Sequence, residues 1–374
     1  MIPLSVQIKA SRLLALCLLH VLLLFGCGGE EKHPQNIMLF IGDGMGVAHI
    51  TAGKIAAGTL HLERFPISGL VTTHSANRLV TESAAATTAL ATGKKTNNRA
   101  ISVLPDGTPL KTLFEYARDI GKSIGVVVTS AVTHATPAAF MSHVDNRRKQ
   151  ADIAEQIVNS GVDVLIGGGW VYFVPASSVG SRRKDDKDLL AALESRMPVV
   201  LSIDKISAHS NGKKLAALLA PDRLPKAADR DFSLARLTRL AIHVLSKNPN
   251  GFVLMVEGSQ IDWAAHDKDT SNIISEMLDF DDAIGAALDF AQQQGHTLIV
   301  ATADHETGGF AVHDGSIQDQ QVSATAFTTG GHTASMVPIF AYGPSSADFS
   351  GILDNARVGQ MLIDCLLKRK KPPS

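Results

Sequence analysis

The feature that most constrains the fold of this chain is the alternation of short, β-branched apolar runs with segments of helical periodicity. The apolar runs lie at residues 36–40, 69–73, 123–130, 162–168, 251–258, 297–304 and 336–343. Continuous apolar runs of this length are typical of strands that are buried on both faces of a parallel sheet. The repeated order of strand, helix and strand therefore predicts a layered α/β fold.

Two of the segments between these runs carry clear helix signals. Residues 109–121, "PLKTLFEYARDIG", open with a proline and close with a glycine, as many helices do. Residues 269–295 place most of their apolar side chains on one stripe and end at a glycine. We therefore expect helices over both segments. Residues 170–230 are less regular, and we expect them to leave the sheet.

The N-terminus has the pattern of an exported protein. Lys9 and Arg12 precede an apolar run at 13–26, which has the length of a signal peptide and is short for a membrane span. The run ends in Gly26-Cys27, which resembles the site at which bacterial lipoproteins are cleaved and acylated on the cysteine. A plain secretory signal with an incidental cysteine is the alternative interpretation.

These features divide the chain into three parts. We predict a lipoprotein signal peptide over residues 1–26, a lipidated Cys27 with a linker over 27–35, and a single catalytic domain over 36–370. Each buried methylene of an acyl chain stabilises membrane binding by about 0.8 kcal/mol, so two or three chains would anchor the protein firmly. The predicted location is therefore extracytoplasmic and membrane-anchored, on the periplasmic or cell-surface side.

Charge and cysteine content narrow the classes of protein further. The formal net charge is -1, which gives no basic footprint of the kind that nucleic-acid-binding proteins carry. Of the 3 cysteines, Cys17 lies in the signal run and Cys27 carries the predicted lipid, so only Cys365 remains. The mature chain therefore cannot form an intrachain disulfide.

Carboxylates follow several of the predicted strands at the point where each strand ends. Asp43 lies among three glycines in "LFIGDGMG", Glu257 ends the fifth run, and Asp304 ends the sixth. In open α/β sheets, sites form beyond the carboxyl ends of the strands. A tight turn alone would also explain Asp43, because glycine and aspartate both favour turns. Three carboxylates at one edge favour a metal-binding site instead.

Histidines near these strand ends supply further candidate ligands. If a helix begins near Asp262, then His266 lies on the same face and both side chains can bind one ion. His305 directly follows Asp304, and His332 follows two glycines in "TTGGHT". Each motif alone is weak, since a capped helix start with an exposed histidine would look the same.

The stretch "TESAAATTALATG" supplies a candidate nucleophile. Ser83 precedes a run of small residues, and Gly93 lies where a helix could end. A serine at a helix N-terminus meets the positive end of the helix dipole, which favours an alkoxide and a bound phosphate. An ordinary serine N-cap is the alternative.

Six stretches, taken together and in this order, resemble the alkaline phosphatase family. They are "IGDGMG" (41–46), "ESAAATTALATG" (82–93), "THATPAAFMSHVDNR" (133–147), "EGSQIDWAAH" (257–266), "TADHETGG" (302–309) and "GGHT" (330–333). The chain looks most similar to the compact bacterial members, including the cold-adapted ones, because little sequence separates Asp304 from His332. The resemblance implies a three-layer α/β sandwich, with a mostly parallel central sheet and helices on both faces.

The resemblance also implies a role for each matching residue. Ser83 matches the nucleophile that becomes a phosphoserine, and Arg147 matches the residue that binds two phosphate oxygens. The implied cofactors are two Zn²⁺ and one Mg²⁺ per chain. The first zinc would be held by Asp262, His266 and His332, the second by Asp43, Asp304 and His305, and the magnesium by Asp43, Thr136 and Glu257.

The chemistry of these side chains agrees with the implied roles. Nitrogen and carboxylate ligands suit zinc, whereas the oxygen-only set suits magnesium completed by waters. Two zinc ions about 4 Å apart stabilise the attacking and leaving oxygens of an in-line displacement. The implied activity is the hydrolysis of phosphate monoesters at alkaline pH, with release of inorganic phosphate.

Three positions depart from the family pattern. Glu82 precedes the nucleophile where most members have Asp, so the extra methylene is expected to shift Arg147. His134 stands where some members have Asp, which removes negative charge beside the magnesium site. Trp263 stands where others have Lys or His, which removes a cation facing the phosphate. We therefore place His134 and Trp263 next to the substrate and expect weaker retention of magnesium.

Other functions remain as alternatives at this point. A phosphodiesterase of the same superfamily would share the metal ligands, and a catalytically dead lipoprotein would bind phosphate or metal without turnover. The latter has no need of Ser83, so its intact nucleophile argues against it. Members of the family usually form homodimers, but no interface can be identified from this sequence.

Overall fold

Fourteen strands form one large sheet and two small ones in the computed structural model, which describes residues 33–206 and 211–369. In chain order they are β1 (Asn36–Gly42), β2 (Ile67–Thr72), β3 (Ser123–Ala131), β4 (Val164–Gly168), β5 (Val199–Val200), β6 (Leu215–Leu218), β7 (Phe252–Gly258), β8 (Thr297–Thr302), β9 (Glu306–Thr307), β10 (Phe310–Ser316), β11 (Gln321–Phe327), β12 (His332–Thr333), β13 (Val337–Tyr342) and β14 (Gly351–Asp354). The predicted signal peptide and Cys27 lie outside the described residues, so their assignment stays a prediction.

Helices connect and cover these strands. They are α1 (Val47–Ala57), α2 (Ser83–Thr92), α3 (Leu113–Asp119), α4 (Ala135–Met141), α5 (Gln150–Asn159), α6 (Leu189–Glu194), α7 (Leu234–Leu245), α8 (Gln260–His266), α9 (Thr270–Gln294) and α10 (Asn355–Leu366). Helix α7 packs against β3, and α9 packs against β1, β7 and β8. None of the helices in the described ranges combines the length and the apolar character that crossing a bilayer requires.

The large sheet has ten strands in the order β14-β2-β13-β8-β1-β7-β3-β4-β6-β5. At its centre, β1 pairs in parallel with β7 on one side and with β8 on the other. Every residue of these three strands is buried, as their continuous apolar sequences predict. The exception to parallel pairing is β13, which is antiparallel to both β2 and β8. All seven predicted runs form strands of this sheet.

Two predictions about local structure need correction. Helix α3 begins at Leu113 rather than at Pro109, because Thr112 and Glu115 form a reciprocal capping box at that point. Pro109 instead pairs with Val103 in an isolated bridge. The expectation that residues 170–230 leave the sheet is wrong for two short stretches, since β5 and β6 form one edge of the sheet.

Helix α9 confirms the prediction of a helix over residues 269–295, and it packs closely against the central strands. The Asp269 side chain accepts the Asn272 N–H at its start, and Gly295 ends it with a φ of 70°. Its Phe280 ring packs edge-on against Phe40 of β1, with 6.1 Å between centroids. A Cβ at Gly258 would lie 2.8 Å from the Phe280 ring, so glycine lets this helix approach the end of β7 closely.

Candidate active site

The carboxyl ends of β1, β7 and β8 bring three buried carboxylates together. Ile41 pairs with Glu257 on β7 and with Thr302 on β8, so Asp43 and Asp304 follow at the same edge. The side chains of Asp43, Glu257 and Asp304 are fully buried. The structure therefore brings together the acidic residues that the strand ends predicted.

The glycines around Asp43 allow the close packing of this edge. Gly44 has a φ of 73°, and its N–H donates to Asp304 Oδ1 at 3.1 Å. A Cβ on Gly44 would lie 2.8 Å from Thr307 Oγ1 and 2.9 Å from Asp262 Cα. Both the positive φ and the lack of space exclude an ordinary side chain here. The turn and the ligand interpretations of Asp43 are therefore compatible.

The first of three ligand clusters consists of Asp262, His266 and His332. The Nε2 atoms of His266 and His332 lie 3.3 Å and 3.6 Å from Asp262 Oδ1. The Nδ1 atom of His266 lies 2.7 Å from the Gly330 carbonyl oxygen, and that of His332 lies 3.0 Å from the Thr81 carbonyl oxygen. Because a carbonyl can only accept, each Nδ1 carries a hydrogen when the ring is neutral, and each Nε2 lone pair is left for an ion.

The second cluster consists of Asp43, Asp304 and His305. His305 Nε2 lies 3.2 Å from Asp304 Oδ2 and 3.5 Å from Asp43 Oδ1. The hydroxyl of Ser83 lies 3.4 Å from the same Nε2 atom. The candidate nucleophile therefore borders this cluster directly.

The third cluster joins Asp43 and Glu257 with His134. One ligand atom from each of the three lies within 4.8 Å of the others. Thr136, which the resemblance assigned to magnesium, is fully buried in the first turn of α4. The structure thus places His134 beside the acidic pair and also next to Arg147, the residue to which the resemblance assigned phosphate binding.

Burial and mutual repulsion dominate the electrostatics of these clusters. Burial, with the charge of Asp304 next, raises the pKa of Asp43 well above its ordinary value. Burial and the charge of Asp262 raise the pKa of Asp304 to about 6. Burial, with a smaller contribution from the charge of Asp304, raises the pKa of Glu257 to about 7. Three carboxylates that repel one another in a low-dielectric interior form a strong site for divalent cations.

The pKa values of the first cluster, and of His305 in the second cluster, shift through hydrogen bonds, neighbouring charges and burial. The hydrogen bond to Asp262 raises the pKa of His266 to about 9. Burial alone would raise the pKa of Asp262, but the hydrogen bond from His266 and the neighbouring imidazoles lower it. Burial lowers the pKa of His305 well below its ordinary value, so its ring is neutral and able to bind a metal.

Several oxygens of the clusters fit a bound metal because they are buried and without a hydrogen-bond partner among the described residues. They are both carboxylate oxygens of Asp43, Glu257 Oε1, Asp304 Oδ2 and Thr136 Oγ1. A buried polar atom left unpaired costs about 1–3 kcal/mol, and more when it is charged. Cations bound by these atoms would remove that cost, so the donor set fits the zinc and magnesium that the resemblance implies.

Ser83 is the first residue of α2, and the residue before it caps the helix. Glu82 accepts the N–H groups of Ala84 at 3.2 Å and Ala85 at 3.1 Å. The ordinary interpretation of Ser83 as the N-cap is therefore wrong. Its hydroxyl is directed at His305 instead, at the positive end of the helix dipole.

Arg147 is held in place from two sides. Its Nη1 donates to Glu82 Oε2 at 2.6 Å, and its Nη2 donates to His134 Nε2 at 3.1 Å. Burial and the nearby guanidinium lower the pKa of His134 to about 3, so its neutral ring accepts this hydrogen bond. Glu82 reaches the arginine and caps α2 at the same time, so the longer side chain satisfies both contacts.

Comparison with known proteins gives the family. The family model for alkaline phosphatase matches residues 34–322. The chain belongs to the alkaline phosphatase family. It is 34% identical to alkaline phosphatase 3 of Bacillus subtilis (strain 168), over 90% of this chain and 90% of that protein.

Solved alkaline phosphatases share the fold. The enzyme from the Antarctic bacterium TAB5 is 39% identical, with a TM-score of 0.83 over 91% of this chain and 100% of its own. The cold-active enzyme from the psychrophile Shewanella sp. is 29% identical, with a TM-score of 0.80 over 88% of this chain and 99% of its own. The predicted three-layer α/β fold and the resemblance to cold-adapted alkaline phosphatases are both confirmed.

Sequence reasoning missed one side chain of this alkaline phosphatase site, Thr307, and one neighbour of the site, Arg223. Thr307 Oγ1 donates to Asp262 Oδ1 at 2.5 Å and lies 3.2 Å from His305 Nδ1, so it links the first cluster to the second. It lies within the "TADHETGG" stretch, where its hydroxyl was an available signal. Arg223, whose guanidinium lies 4.8 Å from the centroid of the Trp263 ring, belongs to no motif and gave no signal.

Proposed function

We propose that this protein hydrolyses phosphate monoesters through a phosphoserine formed on Ser83, with two zinc ions and one magnesium ion per chain. The observation that carries the proposal is the position of Ser83. Its buried hydroxyl lies at the start of α2, 3.4 Å from His305 Nε2 and beside the cluster of Asp43 and Asp304. A serine in that position faces a metal-binding cluster and the positive end of a helix.

The clusters divide into two kinds of donor set. The group of Asp262, His266 and His332 and the group of Asp43, Asp304 and His305 each mix imidazole with carboxylate, which suits zinc. The third group also contains an imidazole, that of His134, but the Nε2 atom of this ring accepts from Arg147. Its carboxylates, Glu257 and Asp43, together with the Thr136 hydroxyl, offer oxygen ligands, which suit magnesium. When bound, such ions act as Lewis acids and lower the pKa of a coordinated hydroxyl or water.

The side chains of this chain then divide the work of the reaction. The Ser83 hydroxyl releases its proton to solvent and its oxygen attacks the phosphorus in line. The bond from phosphorus to the ester oxygen breaks, and the alcohol leaves with a proton from solvent. Water then attacks the phosphoserine, releases inorganic phosphate and restores the serine hydroxyl. Arg147 orients the phosphoryl oxygens with paired N–H donors, because a planar guanidinium matches two oxygens at once.

The names of related proteins support a magnesium ion and a phosphatase activity. The curated relative from Bacillus subtilis and the TAB5 enzyme are both named alkaline phosphatases. A His-to-Asp mutant of the TAB5 enzyme, 38% identical to this chain, has magnesium bound in its M3 site. His134 of this chain lies beside Asp43 and Glu257, where a magnesium site is proposed.

The location and assembly are proposals of a different kind, because they rest on sequence and family alone. We propose that Cys27 carries a lipid that anchors the protein to the extracytoplasmic side of a membrane, and that the enzyme forms a homodimer. Membrane fractionation of wild type and Cys27→Ser tests the anchor: release of the variant into the soluble fraction is expected. A sedimentation coefficient of a monomer at micromolar concentration would contradict the dimer.

The activity is tested with the chain from residue 28, loaded with zinc and magnesium, on p-nitrophenyl phosphate. We expect hydrolysis at alkaline pH that is lost on chelation and reduced at least about a thousandfold in Ser83→Ala. Ser246→Ala, an exposed serine at the end of α7, is the matched control and should keep full activity.

Two other outcomes would overturn the proposal. Preferred hydrolysis of bis(p-nitrophenyl) phosphate would identify a phosphodiesterase of the same superfamily. Tight zinc binding without turnover of either ester would identify a phosphate- or metal-binding protein instead.

A further inference from the structure

A second guanidinium lies near the proposed phosphate site, and the proposed mechanism does not use it. Arg223 is exposed, and its guanidinium packs over the indole of Trp263 at 4.8 Å from the ring centroid. Trp263 is the residue directly after the proposed zinc ligand Asp262. A cation thus packs on the ring of the residue that directly follows a proposed zinc ligand.

Aromatic contacts connect this arginine to the proposed phosphate-binding arginine. The Trp263 ring meets the His134 ring edge-on, with 5.5 Å between centroids and 80° between planes. His134 Nε2 in turn accepts the hydrogen bond from Arg147 Nη2 at 3.1 Å. The packed series Arg147, His134, Trp263 and Arg223 therefore carries a guanidinium at each end. An ester that places its phosphoryl group against Arg147 can extend along this series toward Arg223.

The backbone that carries Arg223 is firmly fixed. The Gln260 amide of α8 donates to the carbonyl oxygens of Leu224 at 3.0 Å and Pro225 at 3.2 Å. The Leu224 N–H donates to the Thr129 carbonyl at 3.0 Å, and the Leu224 side chain is buried. Because this backbone is already ordered, little conformational entropy would be lost when a ligand binds to Arg223. Arg223 is therefore better suited to bind a ligand than a side chain on a mobile loop would be.

The charge of Arg223 is not neutralised by a neighbour. Arg223 borders a cavity of about 480 Å³, together with Lys226, Asp229 and Gln260. Lys226 lies 3.7 Å from Asp269, whereas Arg223 makes no ion pair with any carboxylate in the described part of the chain. With one face packed on Trp263, the in-plane N–H groups of its guanidinium stay available to an oxyanion.

We propose that Arg223 binds a second anionic group on the alcohol part of the substrate, either a carboxylate or a further phosphate. This inference rests on the proposed function and narrows its substrate class to small phosphomonoesters that carry another negative charge. A planar, pre-positioned guanidinium binds carboxylate and phosphate oxygens in pairs. Arg223 is thus a residue that determines specificity, and the reacting phosphoryl group stays with Arg147 and the clusters.

Two matched esters test this on the zinc- and magnesium-loaded protein. Glycerol 3-phosphate and 3-phosphoglycerate share a phosphorylated primary alcohol and differ in a carboxylate at the other end. We expect Arg223→Gln to lower kcat/KM for 3-phosphoglycerate about fivefold, as for the loss of an exposed ion pair, and to leave glycerol 3-phosphate within about twofold. Arg223→Lys should retain part of the preference, and added salt should weaken it in the wild type.

Arg236→Gln, an exposed arginine on α7, is the matched control and should leave the ratio of the two esters unchanged. If Arg223→Gln lowers kcat/KM for both esters equally, Arg223 only supports Trp263 and the inference is overturned. An unchanged ratio overturns it as well.

Calorimetric binding of both esters to the Ser83→Ala protein separates the inference from the proposed function. We expect 3-phosphoglycerate to lose affinity relative to glycerol 3-phosphate when Arg223→Gln is added to Ser83→Ala. If the wild type hydrolyses neither ester, the proposed function fails, but this binding ratio still decides whether Arg223 recognises the second anion. Equal affinities in both backgrounds contradict the inference whatever the activity.

Discussion

Glu82 is the residue whose replacement tests the site most sharply, because its two oxygens accept four hydrogen bonds. Oε1 accepts the N–H groups of Ala85 at 3.1 Å and Arg99 at 2.6 Å. Oε2 accepts Ala84 N–H at 3.2 Å and Arg147 Nη1 at 2.6 Å. In Glu82→Gln, one oxygen becomes an NH₂ group, which is a donor and cannot accept from either partner on its side.

The expected cost of Glu82→Gln follows from these contacts. Whichever way the amide turns, two donors lose their acceptor. An unpaired donor away from water costs about 1–3 kcal/mol, and less where it is exposed, as the Arg99 N–H is. The side chains of Arg147 and Glu82 are only 22% and 16% exposed, so solvent screens their ion pair little. We expect Glu82→Gln to lower the free energy of unfolding by about 2–4 kcal/mol.

The same change should weaken phosphate binding. In Glu82→Gln the Arg147 guanidinium loses its ion pair, and in one orientation of the amide it also loses the hydrogen bond to residue 82. We therefore expect KM for p-nitrophenyl phosphate to rise about tenfold, which corresponds to about 1.4 kcal/mol. Glu82→Asp is the matched control: it keeps the charge and a good N-cap, and should cost about 1 kcal/mol or less in stability.

Urea unfolding of the metal-free protein and steady-state kinetics of the loaded enzyme measure the two effects. Unchanged stability together with unchanged KM would refute the reasoning.

The stability lost in Glu82→Gln should depend on pH, and the direction follows from the pKa of Glu82. Burial would raise the pKa of Glu82, but the Arg147 charge and the N–H donors of Arg99 and Ala85 lower it below 4.5 overall. A carboxylate whose folded pKa is depressed stabilises the protein above its unfolded pKa, and this contribution is lost as pH falls through the folded pKa. The stability difference between wild type and Glu82→Gln should therefore shrink below about pH 4.5.

Three further predictions follow from other contacts. His134→Asp replaces a neutral ring beside Asp43 with a carboxylate, so calorimetry should show magnesium binding about tenfold tighter; unchanged affinity would contradict the proposed site. Gly44→Ala, which needs a φ of 73° and meets the Thr307 hydroxyl, should lower the free energy of unfolding by about 2 kcal/mol or more and reduce zinc retained on dialysis. The hydrogen bond to Glu115 raises the pKa of His143, so the stability lost in His143→Gln should be complete below its ordinary pKa of 6.5 and fade as pH rises through the folded value. Urea unfolding across pH checks this, and a loss that stays constant with pH would rule out the ion pair as its cause.

Much of the fold could be predicted because its signals are local. Continuous apolar runs such as 36–40 and 251–258 are long enough to identify a buried strand. Gly295 indicates the end of a helix because glycine readily adopts the positive φ that such an end requires. The two-residue strand β5 and the four-residue β6 are apolar too, but they are too short to identify a strand, and their pairing depends on neighbours far away in the chain. A proline predicts the start of α3 at Pro109, whereas the capping box of Thr112 and Glu115 starts the helix at Leu113.

The carboxylates of the site could be predicted with most support, because they directly follow predicted strands. Asp43 and Asp304 follow parallel neighbours, so sheet geometry alone brings them together. His332 begins a two-residue strand and Arg147 lies in a turn after α4, so no periodic pattern marks either residue, and only the family resemblance connected them to the clusters. Arg223 lies on a loop with neither period nor motif, and its contact with Trp263 is visible only once the chain is folded.

Asp43 belongs to two of the three ligand clusters, with His305 on one side and Glu257 on the other. Occupancy of the two clusters therefore cannot be independent, because one carboxylate charge is shared between two cations that also repel each other. Binding at one cluster must lower affinity at the other, and the factor is the same in both directions. Metal loading of this protein is thus expected to be a coupled titration, in which the last ion bound is held more weakly than its own ligands would suggest.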